Sequence, residues 1–209
     1  SLYFGMKAAL KAERYYDKGV KQFALLSYAM PSFYLALILV ILFAVKWKLF
    51  PISGLHSNDA STSLLGYYAD MAWHLTLPIF VMVFGGLGSL ILYVRSLTLN
   101  ILKSDYIFFA KTRGIEGKEL FLTYILPNLS PPIVTILGLS LPGLIGGSVI
   151  LESIFGINGM GLLFYQSALS HDYPVIMGIL IISSFLTLFG NMMADIVLTK
   201  LNPHFKRRS

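Results

Sequence analysis

Ser153–Ser170 reads SIFGINGMGLLFYQSALS, eighteen residues without a charge, and whether it crosses a bilayer decides the topology of the whole chain. About twenty helical residues cross ~30 Å of hydrocarbon, so length alone admits a span. Composition argues otherwise, because Gly156, Asn158, Gly159, Gly161, Gln166 and Ser170 suit an interfacial or re-entrant segment. Making it cross would put the apolar runs on either side out of phase. It would also send Lys200, Lys206, Arg207 and Arg208 outward, against the preference of Lys and Arg for the cytoplasmic side. The segment is therefore expected to lie externally, on or dipping into the membrane.

Outward from this stretch, four intervals hold at least twenty residues without Asp, Glu, Lys or Arg: Gln22–Val45, Leu75–Val94, Leu120–Leu151 and Tyr173–Ala194. The chain is 209 residues long, 56% hydrophobic and 12% charged, with a mean hydropathy of +0.73. Soluble domains carry about a quarter charged residues. An all-α integral membrane protein is expected, one transmembrane domain over 1–209 with spans at about 23–45, 75–94, 131–151 and 174–194. The alternation of a lipid-facing barrel strand is nowhere sustained. Pro31 predicts a kink in the first span, and Gly85, Gly86 and Gly88 predict close packing of the second. Pro127, Pro131 and Pro132 divide the long third interval, and Pro142, Gly143, Gly146 and Gly147 predict an irregular helix within it.

The net charge of +6 matters through its placement. Lys7, Lys11, Arg14, Lys18 and Lys21 precede the first span; Arg95, Lys103, Lys111, Arg113 and Lys118 separate the second from the third; and Lys200, Lys206, Arg207 and Arg208 end the chain. Fourteen of sixteen basic residues thus share one side, leaving Lys46 and Lys48 opposite. The N-terminal segment, the 95–128 loop and the C-terminus are assigned to the cytoplasm, and nucleic acid is not expected as a partner. Residues 1–22 read as an amphipathic segment, either a juxtamembrane helix attracted to anionic headgroups or one that makes a specific contact. The acidic, Gly- and Ser-containing 50–72 stretch reads as an external loop, flanked by Trp47, Trp73 and His74 at one interface. No signal peptide is visible, and the start at Ser1 without Met leads us to expect further spans ahead of it.

Chemistry is sparse. Cysteine is absent, and His56, His74, His171 and His204 show no metal-binding spacing. No phosphate-binding loop, dinucleotide fingerprint or nucleophile elbow occurs, so the chain is expected to bind no cofactor and to catalyse nothing itself. Glu152 and Asp195 fall only at span ends, which weakens a proton-coupled carrier.

The exceptional segment is Asp105–Asn128, DYIFFAKTRGIEGKELFLTYILPN, which carries six charges between two apolar runs. Asp105 is expected to N-cap a helix, Gly114 to stop it, Glu116 to begin a second, and Pro127 to mark the turn into the next span. A short amphipathic helix with a glycine hinge looks built to fit a partner. The segment resembles the E-A-A, three residues, Gly, nine residues, I-x-L-P signature of permease subunits of binding-protein-dependent ABC importers. Ala110, Gly114, Leu126 and Pro127 agree with it, while Phe108, Phe109 and Tyr124 depart. The dipeptide/oligopeptide/nickel branch is also resembled at residues 30–54, HLTLPIFV (74–81), GGSVILESIFGINGMG (146–161), DYPVIMG (172–178) and LNPHFKR (201–207).

That resemblance implies a type I ABC importer helix bundle, in the prokaryotic inner membrane, forming a pore with a second permease subunit. Two cytoplasmic ATPase subunits would hold ATP and Mg and receive the coupling segment, with Asp105, Tyr106, Phe108, Phe109, Ala110, Gly114, Leu126 and Pro127 as its residues. An extracytoplasmic binding protein would deliver peptides, or within the family nickel or oligosaccharides, to the outer loops. Pro142, Gly146, Gly147, Glu152 and Asn191 are candidates for gate or pathway, Glu152 alternatively being a solvated helix end. A stand-alone secondary carrier or channel is the alternative class, and a membrane-embedded enzyme a third.

Overall fold

A computed structural model describes residues 1–57 and 63–201, without the side chains of 139, 141–146 and 201. Its helices in chain order are α1 (Leu2–Leu10), α2 (Tyr15–Ala29), α3 (Ser32–Leu39), α4 (Leu64–Leu102), α5 (Asp105–Thr112), α6 (Gly117–Leu120), α7 (Leu126–Gly146), α8 (Val149–Phe155), α9 (Met160–Leu169) and α10 (Tyr173–Leu201). Widened π-turns extend α3 over Val40–Lys46 and join α6 to α7 over Phe121–Ile125. Among the described residues Leu64–Leu102, Gly117–Gly138 and Tyr173–Lys200 are each long and apolar enough to cross a membrane, and counting the broken pairs α2/α3 and α8/α9 as spans gives up to five.

The prolines explain where helices stop and where they do not. At the first span the helix breaks instead of kinking: α2 ends at Ala29 and Pro31 stands ahead of α3 with φ −59° and ψ 131°. Proline has no amide hydrogen, and its ring pushes the preceding residue out of helical conformation. Pro127, by contrast, does not end anything. The helix begun at Gly117 passes through it, with Leu126 N–H reaching back five residues to the Phe121 carbonyl. This wide turn lies where the proline ring would press on the Thr123 carbonyl. Pro131 then deprives the Pro127 carbonyl of its helical donor, and Ser130 Oγ donates to it at 3.3 Å. The third helix therefore starts near 117, well before the 131 expected. α4 is likewise longer than the 75–94 stretch and carries Asp70, His74 and Arg95 along its length.

By contacts the chain forms two compact units. One comprises residues 1–26, 88–144 and 183 onward. Its core joins Ile101, Ile107, Ala110, Leu120, Ile125 and Leu129, with Met6, Leu97, Ile115 and Tyr124 packed against it. The N-terminal residues are part of this unit and not a free surface helix: a Cβ on Gly5 would lie 2.9 Å from both the Ile91 carbonyl and Val94 Cβ, so α1 rests directly on α4. α7 and α10 approach equally closely, since a Cβ on Gly138 would lie 2.7 Å from Ala194 Cβ and 2.8 Å from the Gly190 carbonyl.

The second unit comprises residues 27–87 and 145–182. Ala36, Leu77, Val81, Leu151 and Phe155 form its core. Trp47 packs edge-on against Phe43, Phe43 against Phe50, and Phe50 stacks on Trp73 at 4.5 Å, which gathers both tryptophans into one aromatic run. Asp70 ties residues 56 and 57 to α4, accepting from Ser57 N–H and Oγ at 2.8 Å each, with His56 Nδ1 3.4 Å away. The expected close packing at Gly85 is not met within this unit, where a Cβ would find open space.

Candidate functional site

α5 is a helix stopped on purpose by local chemistry. Ser104, not Asp105, occupies the N-cap with φ −75° and ψ 149°, and Asp105 is the acidic residue of the first turn, where it favours the positive end of the helix dipole. Ser104 Oγ instead donates to the Ile101 carbonyl. At the other end Gly114 has φ +80°. Gly114 N–H donates to the Lys111 carbonyl at 2.9 Å and Ile115 N–H to the Ala110 carbonyl at 3.1 Å. These two bonds are the Schellman arrangement, in which a left-handed glycine lets the chain fold back over the last turn. Glu116 is then the N-cap of α6, which begins at Gly117.

The two faces of α5 differ sharply. Ile107 and Ala110 are 1% and 3% exposed and sit in the core formed with Ile101, Leu120, Ile125 and Leu129. Tyr106, Phe108 and Phe109 stand outward at 40%, 64% and 60%, the two phenylalanine rings edge to face with centroids 5.9 Å apart. A helix seated by one aliphatic face and presenting adjacent aromatic rings has the composition of a contact surface. Leu126 and Pro127 do not join the seat: both are exposed, while Ile125 and Leu129, four residues apart, supply the burial. Sequence reading passed over Leu120, Ile125 and Leu129, because a spacing of five and then four residues shares a face only through the wide turn at Phe121–Ile125.

The second group of candidates lies at the α8/α9 pair, which is bent by 104°. Glu152 is not a solvated helix end. Its Oε1 accepts from Ser148 N–H at 3.2 Å and its Oε2 from Leu162 N–H at 2.6 Å. Ser148, the N-cap of α8, in turn accepts from Leu151 N–H through Oγ. One carboxylate thus serves the first turns of two helices, α8 through Ser148 and α9 through Leu162, satisfying backbone donors that neither helix can satisfy itself. The glycines are the walls of this arrangement: a Cβ on Gly147 or Gly159 would fall onto the Glu152 carboxylate, and Gly147 also has φ +58°. Gly156, at φ +60°, ends α8, and Gly54 N–H donates to the Phe155 carbonyl at 2.8 Å.

Of the other pathway candidates, Pro142 and Gly146 belong by backbone to α7, but what surrounds them lies outside the described residues. Asn191 is exposed on α10 next to the Gly138–Gly190–Ala194 contact, where an apolar groove is lined by Val134, Leu137, Met193 and Val197. A cavity of about 260 Å³ beside α9 is lined by Asn158, Gly159, Met160, Leu162, Leu163 and Gln166. Among the described residues no three His, Asp or Glu side chains are grouped to hold a metal ion. His204, Lys206, Arg207, Arg208 and most of the 201–207 motif lie outside the described residues.

The family described as binding-protein-dependent transport system inner membrane component matches residues 1–207. The oligopeptide transport system permease protein AppB of Bacillus subtilis (strain 168) is 34% identical over 206 residues, covering 99% of this chain and 64% of that protein. The inner membrane ABC transporter permease protein YejB of Escherichia coli O157:H7 is 30% identical, over 97% of this chain and 57% of that protein. The dipeptide transport system permease protein DppB of Escherichia coli (strain K12) is 28% identical, over 98% and 65%. The chain therefore spans somewhat less than two thirds of the length of these relatives.

Proposed function

The chain belongs to the family of binding-protein-dependent transport system inner membrane components, and we propose that it is a pore-forming subunit of an ATP-driven importer for peptides or similar small solutes. The observation that carries this reading is α5: a Schellman-capped helix, fastened by Ile107 and Ala110 and offering Tyr106, Phe108 and Phe109 outward. In this reading α5 docks on a cytoplasmic ATPase subunit, one for each of two paired permease subunits. The seat around Ile107 passes the movement of ATP-driven ATPase closure to α4 and α7. ATP and Mg stay on the ATPase subunits. The N-terminal segment, the 95–128 region and the C-terminus face the cytoplasm, as the basic residues favour. A solute-binding protein delivers substrate to the opposite face, where the α8/α9 pair and the 50–57 loop are candidates for docking or gating. Peptides are favoured by the likeness to the oligopeptide and dipeptide transport system permeases AppB and DppB.

The test is to co-express the full-length protein with the ATPase subunit encoded beside it and replace Phe108, or Phe109, by Asp. Both rings are more than half exposed, so the seat survives the change. Loss of the co-purifying ATPase subunit and of substrate-stimulated hydrolysis is expected. A complex that forms and hydrolyses as before refutes the assignment of α5.

A further inference from the structure

Away from α5 and from the Glu152 cage, a charge pair made of the buried Asp17 and the half-buried Arg95 has no part in the function proposed above. Asp17, 2% exposed, is the third residue of α2. Arg95 of α4 grips it with a fork, Nε to Oδ1 at 2.5 Å and a terminal nitrogen to Oδ2 at 2.6 Å. Oδ2 also accepts the Glu13 N–H at 2.9 Å, and Glu13 sits at φ +68°, in the left-handed region that a non-glycine residue rarely adopts. The turn between α1 and α2, the first turn of α2, and α4 therefore meet at a single carboxylate.

The same few turns of α4 hold three neighbours. Ile91 and Val94 meet α1 at Gly5, Arg95 meets α2 at Asp17, and Leu97 and Ile101 reach the core that seats Ile107 and Ala110 of α5. Met6 of α1 packs against that core as well. Burying an ion pair brings little net stability, because desolvation offsets the attraction, and apolar residues of similar volume commonly hold such a site as well. What an Arg fork adds is geometry: two parallel bonds fix rotation and register where greasy contacts would let helices slide.

We propose that Asp17 and Arg95 are a positioning pair that locks the α1–α2 corner to α4, so that movement delivered at α5 carries α2 and α4 together. The proposal rests on the coupling role of α5. Without the fork, α4 still packs on α1 but slips against α2, and part of each ATPase stroke is lost. Neither residue touches substrate or nucleotide in this account.

The experiment uses the full-length complex with its ATPase subunits and binding protein in proteoliposomes, and reads substrate moved per ATP hydrolysed together with the melting temperature. Arg95→Lys keeps the charge and loses the fork; Asp17→Leu with Arg95→Leu removes both charges; and Asp17→Arg with Arg95→Asp exchanges them. The first two are expected to assemble and melt close to wild type while transport per ATP falls roughly tenfold, within the range reached by coupling variants. The exchanged pair is expected to regain at least part of the lost ratio. A double-Leu variant with the wild-type ratio overturns the positioning role alone. So does loss of assembly in both Arg95→Lys and the double-Leu variant, which would make the pair merely structural. A wild-type complex whose hydrolysis ignores substrate overturns instead the coupling role beneath it.

Discussion

Gly114 and Gly159 show two different uses of the same missing side chain. At Gly114 nothing lies within 4 Å of an added Cβ, but φ is +80°, so the cost of a substitution is purely conformational. Gly114→Ala is expected to weaken the end of α5 by about 1–2 kcal/mol, seen as faster hydrogen exchange at the Ile115 amide that closes the Schellman bond. At Gly159 the backbone is extended and the obstruction is the Glu152 carboxylate. Gly159→Ala is therefore expected to lower the melting temperature, whereas Gly85→Ala, facing open space within a helix, should leave it unchanged or raise it. Glu152→Gln retains the shape but replaces one acceptor oxygen with an NH₂ group opposite a backbone N–H. A loss of about 1–3 kcal/mol is expected, with faster exchange at the Ser148 and Leu162 amides. Exchange unchanged from wild type at both amides would show that the carboxylate does not hold the bend.

At the scale of the element, α5 separates stability from contact. Ile107→Ala removes a side chain from the core that joins α4, α5 and α7 and is expected to cost about 2–5 kcal/mol. Limited proteolysis near Lys111 and Arg113 would then accelerate. Phe108→Ala, on the outward face, should change stability by less than about 0.5 kcal/mol while weakening any complex made through α5. Equal effects of the two variants on stability would contradict the two-faced helix. The seat was only partly legible beforehand. Ile107 and Ala110 stand three residues apart, and Gly114 announces its own stop, but Leu126 and Pro127 agree with the family signature and nonetheless lie outside the seat. Their neighbours Ile125 and Leu129 take its place because a π-turn at Phe121–Ile125 shifts the helix face.

For the whole molecule, the orientation inferred from its lysines and arginines can be tested directly because the chain contains no cysteine. Ile52→Cys is expected to react with an impermeant maleimide in intact cells, and Lys111→Cys only after the membrane is opened. Labelling in the reverse order would invert the assignment. Both positions are exposed, so neither is silenced by burial within the chain's own fold.

The amino-acid sequence by itself determined what a bilayer demands of a chain: long apolar helices, basic residues gathered between them, a glycine stop after α5, and a Gly-rich stretch at 153–170 that does not form one straight span. Those properties are read by solvent and by local dihedral preference, so no distant contact is needed to see them. Tertiary structure decided which polar groups are used. Glu152 reads in sequence as the charged end of an apolar run, and only the bend of α8 against α9 brings Leu162 N–H to it. Asp17 and Arg95 are 78 residues apart and belong in sequence to two separate basic clusters. A buried charge declares itself only through the partner that makes its burial tolerable, and that partner is chosen by packing.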